Sequence, residues 1–236
     1  MEEELFLQHR ELSLSHWWFL GRSKVVEAVL GRYLPPDPGA ILDIGPGYGG
    51  MAGLLTRYGS PEGLEPHTDA HPYLRQLGYA ELYPDDFPEK FPAKKYGLVT
   101  MFDVLEHIKD DEKALEIVGA ELLREQGFLV LTVPAFPGLW SRHDELNRHY
   151  RRYTLPELNR KARKAGFTPL KTTYFMSFLL PPALLARFLG GNRAPELSLP
   201  PALLNRILTG IFASEAFWLK NFNFPLGLSA LGIYRR

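Results

Sequence analysis

The chain has no cysteine among its 236 residues. That excludes disulfides, cysteine nucleophiles and thiolate metal sites. It also has no excess charge: Lys and Arg total 27, Asp and Glu total 27, and the formal net charge is zero. A neutral chain exerts no general pull on nucleic acid or on acidic membrane, so neither is an expected partner. No run of about 18 apolar residues is free of charge, so no transmembrane helix is expected. The start, Met1-Glu2-Glu3-Glu4, lacks the basic opening of a signal peptide, and a cytoplasmic location is expected. What remains is the profile of one globular α/β domain, 45% hydrophobic and 23% charged, long enough to carry an added cap.

The most informative stretch is Ile41-Leu42-Asp43-Ile44-Gly45-Pro46-Gly47-Tyr48-Gly49-Gly50. Its first four residues read as a buried parallel strand holding one carboxylate. The glycines then lead into Met51 to Tyr58, which reads as a helix. Strand, glycine turn and helix start converge backbone N–H groups and a positive helix end on one point, as a nucleotide-like ligand requires. Gly45-x-Gly47-x-x-Gly50 satisfies the dinucleotide fingerprint, so an NAD(P)-dependent oxidoreductase is one reading. Two details oppose a diphosphate. Asp43 would repel it, and Pro46 removes an N–H donor. S-adenosylmethionine carries a sulfonium and an ammonium and no phosphate, and it reverses the first objection. Glu65 follows about 20 residues on, at the end of a second strand, where an acid can accept both ribose hydroxyls.

Asp43-x-Gly45-x-Gly47-x-Gly49, Glu65 and Phe102-Asp103-Val104-Leu105-Glu106-His107-Ile108 resemble the class I S-adenosylmethionine-dependent methyltransferases of the small-molecule type. His16-Trp17-Trp18-Phe19 with Arg22, and His143-Asp144 through His149-Tyr150-Arg151-Arg152-Tyr153-Thr154, resemble a bacterial branch of that family. The resemblance implies a Rossmann-like seven-stranded, mostly parallel sheet with helices on both faces, an N-terminal helical cap and a C-terminal helical insertion. It implies S-adenosylmethionine as cofactor, S-adenosylhomocysteine as product and a small-molecule methyl acceptor. One domain is expected, with 1–34 as cap, 35–173 as cofactor-binding core, 174–220 as insertion and 221–236 as the last strand. The expected cofactor residues are Asp43, Gly45, Pro46, Gly47, Gly49, Glu65 and Pro66, then Asp85 or Asp86 for the adenine amino group. Phe102, Asp103 and Val104 border the cofactor, and Trp18 and Arg22 come from the cap. His107 is either a neighbour of the cofactor or a structural cap, and the structural role is preferred.

Several local readings stand apart from the resemblance. Residues 4–33 read as two helices broken near Ser13 to Ser15. Asp103 and Glu106 have the spacing of a capping box, which gives both a structural explanation. Asp110 or Asp111 starts a further helix, Phe128 to Val133 a fifth strand, and Thr154-Leu155-Pro156-Glu157 a second capping box. The long connection Ala135 to Tyr153 is rich in Arg, His and aromatics, and loops of this length are usually functional. Its arginines suit an anionic acceptor, and His143 or His149 is a candidate general base. No metal ligands are assigned. The apolar segment 174–219 reads as a lid, or as a peripheral membrane contact for a lipid-like acceptor. A non-catalytic binding or membrane-associated protein on the same fold is the remaining alternative.

Overall fold

The computed structural model describes residues 12–188 and 198–236. The expected helix before Ser13 lies outside the described residues except for its end. The strands are β1 (Ile41–Ile44), β2 (Glu62–Leu64), β3 (Glu81–Tyr83), β4 (Tyr96–Phe102), β5 (Leu123–Pro134), β6 (Thr168–Phe175) and β7 (Ser229–Arg235). They form one sheet in the order β3-β2-β1-β4-β5-β7-β6. β7 pairs antiparallel with both neighbours, and the other pairings are parallel. β1 and β4 are buried at every position, as a sheet covered on both faces demands.

Helices cover both faces, and a short one, α3 (His71–Gln76), lies between β2 and β3 in the chain. On one face, Ala114, Leu115 and Val118 of α4 (Asp111–Ile117) and the turn after it join Leu158 and Ala162 of α6 (Leu155–Lys164) over Leu42, Val99, Met101, Leu129 and Leu131. Asp110 caps α4 by accepting from the Lys113 N–H at 3.0 Å, and Thr154 caps α6 by accepting from the Glu157 N–H at 3.4 Å. On the other face, Val25, Val26, Val29 and Leu30 of α1 (Trp17–Tyr33) sit on Ile41, Leu98, Val130, Leu231 and Ile233.

The insertion contributes α7 (Leu180–Phe188) and α8 (Ala202–Leu219). It is layered into the α1 face. Phe212 of α8 is fully buried, and an added Cβ at Gly21 would lie 2.3 Å from its ring, so a glycine lets the two helices meet. Asn205 accepts from the Trp17 N–H at 2.8 Å and donates to the Ser15 carbonyl at 2.9 Å. Glu215 accepts from the Met176 and Phe178 N–H groups at 2.7 and 2.8 Å, tying α8 to the end of β6. Among the described residues no helix is long and apolar enough to cross a membrane.

Three boundaries differ from the sequence reading. The helix expected over Met51 to Tyr58 is a single turn, α2 (Ala52–Leu55). The fifth strand starts at Leu123 rather than Phe128, because Leu123 pairs with Tyr96 across an irregularity in the ladder. The long connection is not structureless: it holds a 3₁₀ turn and α5 (Arg142–Leu146), capped by Ser141 and Asp144.

Candidate functional site

The strand order reverses direction between β1 and β4, and ligands in such sheets bind outside the strand ends at that point. The glycine loop leaves β1 there. Gly45 has φ 68° and an added Cβ would lie 2.7 Å from Val104, so no other residue fits without displacing the β4 end. Gly47, at φ 55°, borders open space, with nothing within 4 Å of an added Cβ. A ligand can therefore approach the loop backbone closely. Arg22 reaches the same place from α1, with its guanidinium 3.7 Å from an added Cβ on Gly50 and 4.3 Å from the Trp18 ring centroid.

Asp43 stands where the sequence placed it, but its carboxylate has no open face. It is 1% exposed. Thr100 and Tyr79 donate to its two oxygens, each at 2.6 Å. Burial raises its pKa to about 6 against those hydrogen bonds. That burial leaves it a field at the glycine loop but no open oxygen for direct contact. Glu65 is also buried and accepts from the Gly47 N–H at 2.8 Å and the His67 N–H at 3.0 Å. It fastens the glycine loop to the end of β2. Burial raises its pKa as well. Pro66 is exposed beside it, and Phe102 is buried at the end of β4. Asp85 pairs with Lys90 at 2.7 Å, while Asp86 is exposed.

The capping-box reading of Asp103 and Glu106 is overturned. Asp103 has φ 59°, a left-handed conformation that cannot open a helix, and the short 3₁₀ turn that follows has no side-chain cap. Asp103 instead forms an ion pair with Arg22. Glu106 is wholly buried, and neither carboxylate oxygen has a hydrogen-bond partner among the described residues. Burial, then the Asp103 charge, drives its pKa well above the carboxylate range. Arg22 Nε and Thr132 Oγ1 are the other buried side-chain atoms without partners among the described residues, and Thr132 pairs with Phe102 in the sheet. Unsatisfied buried polar atoms are rare, and here they gather at one strand edge.

The connection after β5 closes over this edge. The Tyr150 N–H donates to the Glu106 carbonyl at 2.8 Å, and Ala135 bridges Tyr153. Asp144 is fully buried and organises the loop: it receives His149 Nδ1 at 2.9 Å and Arg152 at 2.8 and 2.9 Å. Burial works against its ionisation, but the bonds from His149 and Arg152 prevail and hold it well below the usual carboxylate range. His149 meets His107 edge to face, with ring centroids 4.6 Å apart, and His143 lies 6.2 Å from His149. Burial, helped by the neighbouring His149, lowers His107 to about 3, so it is neutral at physiological pH. Burial also lowers His143, which contacts Asn147. Arg151 pairs with Asp111 at 2.8 Å and Arg152 with Asp144, so only Arg142 and Arg148 of the loop's arginines are exposed.

A sequence model described as a methyltransferase domain matches residues 19–172. The chain belongs to that methyltransferase family. The protein solved with the Haloferax volcanii Trm112 methyltransferase activator is similar in fold, with a TM-score of 0.60 at 14% identity over 99% of this chain and 94% of that one. An S-adenosylmethionine-dependent methyltransferase from Archaeoglobus fulgidus has a TM-score of 0.55 at 17% identity, covering 91% of this chain and 94% of that chain. Phosphoethanolamine N-methyltransferase 2 of Haemonchus contortus, solved with S-adenosylmethionine, has a TM-score of 0.57 at 19% identity, covering 89% of this chain and 51% of its own. A comparison with curated proteins finds no match. The methyltransferase uses S-adenosylmethionine. The glycine loop open at Gly47 and the cation-compatible acid behind it fit that group, and the dinucleotide reading is set aside.

Proposed function

We propose that this methyltransferase methylates a small molecule carrying an apolar portion, in a pocket between the glycine loop and the connection after β5. The observation that carries this is the meeting of Arg22, Asp103, Glu106, His107 and His149 beside the loop, with Arg22 Nε and both Glu106 oxygens unsatisfied. Gly45, Pro46, Gly47 and Gly49 would border the methionine end, with Arg22 and Trp18 above it. Glu65, with Pro66 next to it, would meet the ribose. Asp85, already facing Lys90, is a better adenine partner than exposed Asp86. Phe102, Asp103 and Val104 would line the floor. S-adenosylmethionine supplies a methyl group that its sulfonium already makes electrophilic. The chain's own task is alignment in a dry pocket. His149 is the histidine best placed to face the nucleophile, because Asp144 fixes its tautomer and leaves Nε2 free. His143 sits one layer further out, against Asn147.

The apolar portion of the acceptor is argued from α8. Leu203 is 71% exposed, and Leu204 and Ile207 stand beside it. They share the end of α8 that Asn205 fastens to Trp17, next to the cap residues over the site. With two loop arginines committed to internal pairs, the face favours an apolar or lipid-like acceptor over a strongly anionic one. Peripheral contact with a bilayer through 174–219 follows from the same face. The test incubates the protein with S-adenosylmethionine carrying a labelled methyl group and with fractionated aqueous and lipid extracts. Label should enter an organic-extractable product and S-adenosylhomocysteine should raise the unfolding temperature. Stabilisation by NADH instead, or label confined to water-soluble anions, would reject the proposal.

A further inference from the structure

We propose that Glu106, His107 and His149 form a binding site for one divalent transition-metal ion, of the zinc or cobalt type. No metal ligands are assigned from the sequence, and Glu106 and His149 stand far apart in the chain. The fold closes that distance. One ligand atom from each residue lies within 4.8 Å of the other two.

Three observations point to an ion rather than to a tight polar cluster. The first is the Glu106 carboxylate. It is fully buried, and both oxygens lack a hydrogen-bond partner. A buried carboxyl group without partners either keeps its proton or takes a cation in its place, so it is a ready ligand for an ion that displaces that proton. Arg22 acts on Glu106 only through space, since its guanidinium is engaged with Asp103 and makes no hydrogen bond to the Glu106 carboxylate. The second is the outer partner of His149. Asp144 takes His149 Nδ1 at 2.9 Å, which holds that ring in place. The His149 imidazole is thus fixed through one nitrogen, which leaves the other for a ligand, the usual arrangement around metal-bound histidine. The third is the position of Asp144, itself held by Arg152 and Ser141, so that the anchor of His149 is in place before an ion arrives.

Two nitrogens and one oxygen suit borderline ions such as zinc or cobalt, and suit calcium or magnesium poorly. Ligands around such an ion stand about 3.4 Å apart, given bonds of about 2.0–2.2 Å. The side chains therefore need to close by roughly an ångström, which rotation of the Glu106 carboxylate and the two rings can supply. Three protein ligands leave one position open, the pattern of catalytic rather than structural sites. An ion there would bind the acceptor's hydroxyl or amine and lower its pKa, with His149 acting as ligand rather than as base. That consequence rests on the methyl-transfer reading; the binding of the ion does not.

The test uses tag-free full-length protein, stripped with a chelator and studied without S-adenosylmethionine. Calorimetric titration should show one zinc or cobalt ion per chain, with affinity at least 100-fold above that for magnesium or calcium. Bound cobalt should produce ligand-field absorption and should shift the imidazole signals of His107 and His149 in NMR spectra of the unmutated protein. Glu106→Gln and His149→Gln should each lower affinity at least tenfold, and Asp144→Asn about tenfold. His143→Ala, outside the set, should leave affinity unchanged, with circular dichroism as the check on folding. The inference is overturned if the unmutated protein takes up no stoichiometric zinc or cobalt. It is equally overturned if the ion perturbs His143 or a surface histidine and leaves His107 and His149 untouched. Failure to find a methyl acceptor would reject the functional proposal and leave these binding results intact.

Discussion

Two carboxylates lie buried at neighbouring strand ends, and the chain treats them in opposite ways. Asp43, at the end of β1, receives a hydroxyl on each oxygen. Glu106, just past the end of β4, receives nothing. Both have raised pKa values through burial. The contrast separates a charge that has been built into the scaffold from one that has been left unsatisfied. The first holds its place whatever binds; the second stores a binding demand at the expense of stability.

Substitutions can sharpen or break that contrast. Asp43→Ala should have the largest effect. It leaves the Thr100 and Tyr79 hydroxyls without their acceptor, and should destabilise the protein by about 3 kcal/mol in urea unfolding. Glu106→Met, in chelated protein, should run the other way and stabilise by about 2 kcal/mol, since a hydrophobe of similar shape replaces an unpaired acid. Equal losses for the two variants would dissolve the distinction.

The pH dependence of Asp43 offers a third test. Its folded pKa is about 6, above the ordinary value of 3.8. The folded state therefore holds its proton more tightly, so this group's contribution is fully present below pH 4 and is lost as pH rises through 6. Relative to Asp43→Asn, the unsubstituted protein should gain stability as pH falls from 7 to 4, by at most about 1.4 kcal/mol per pH unit. Binding of S-adenosylmethionine should move oppositely and weaken over the same interval, because the carboxylate's field is lost. Parallel trends would refute the electrostatic role. The smallest effect is expected from Arg22→Lys. It keeps a charge near Asp103 but gives up the stack on Trp18, and should cost below about 1 kcal/mol, read as a slight fall in unfolding temperature.

The sequence exposed the scaffold better than the centre. Ile41 to Ile44, Glu65 and the apolar run to Phe102 announced their strands because a buried parallel sheet leaves continuous apolar stretches ended by acids and glycines. Thr154 declared its helix by local spacing alone. The same spacing misled at Asp103 and Glu106. Four residues satisfy the capping pattern, but the backbone is left-handed at Asp103, whose side chain pairs with Arg22 of α1, a long-range contact that local spacing does not reveal. The meeting of His107 with His149 was hidden for a similar reason: it depends on the Asp144 hub folding the connection back over β4. A signal was present in the Asp144, His149 and Arg152 cluster, whose opposite charges at short spacing suggest internal pairing rather than a free anion-binding surface.

Asn205 reaches 190 residues back to Ser15, and Phe212 fills the gap at Gly21. During synthesis, α1 therefore leaves the ribosome long before its covering partner exists. The nascent chain must carry an uncovered apolar flank until α8 emerges to cover it.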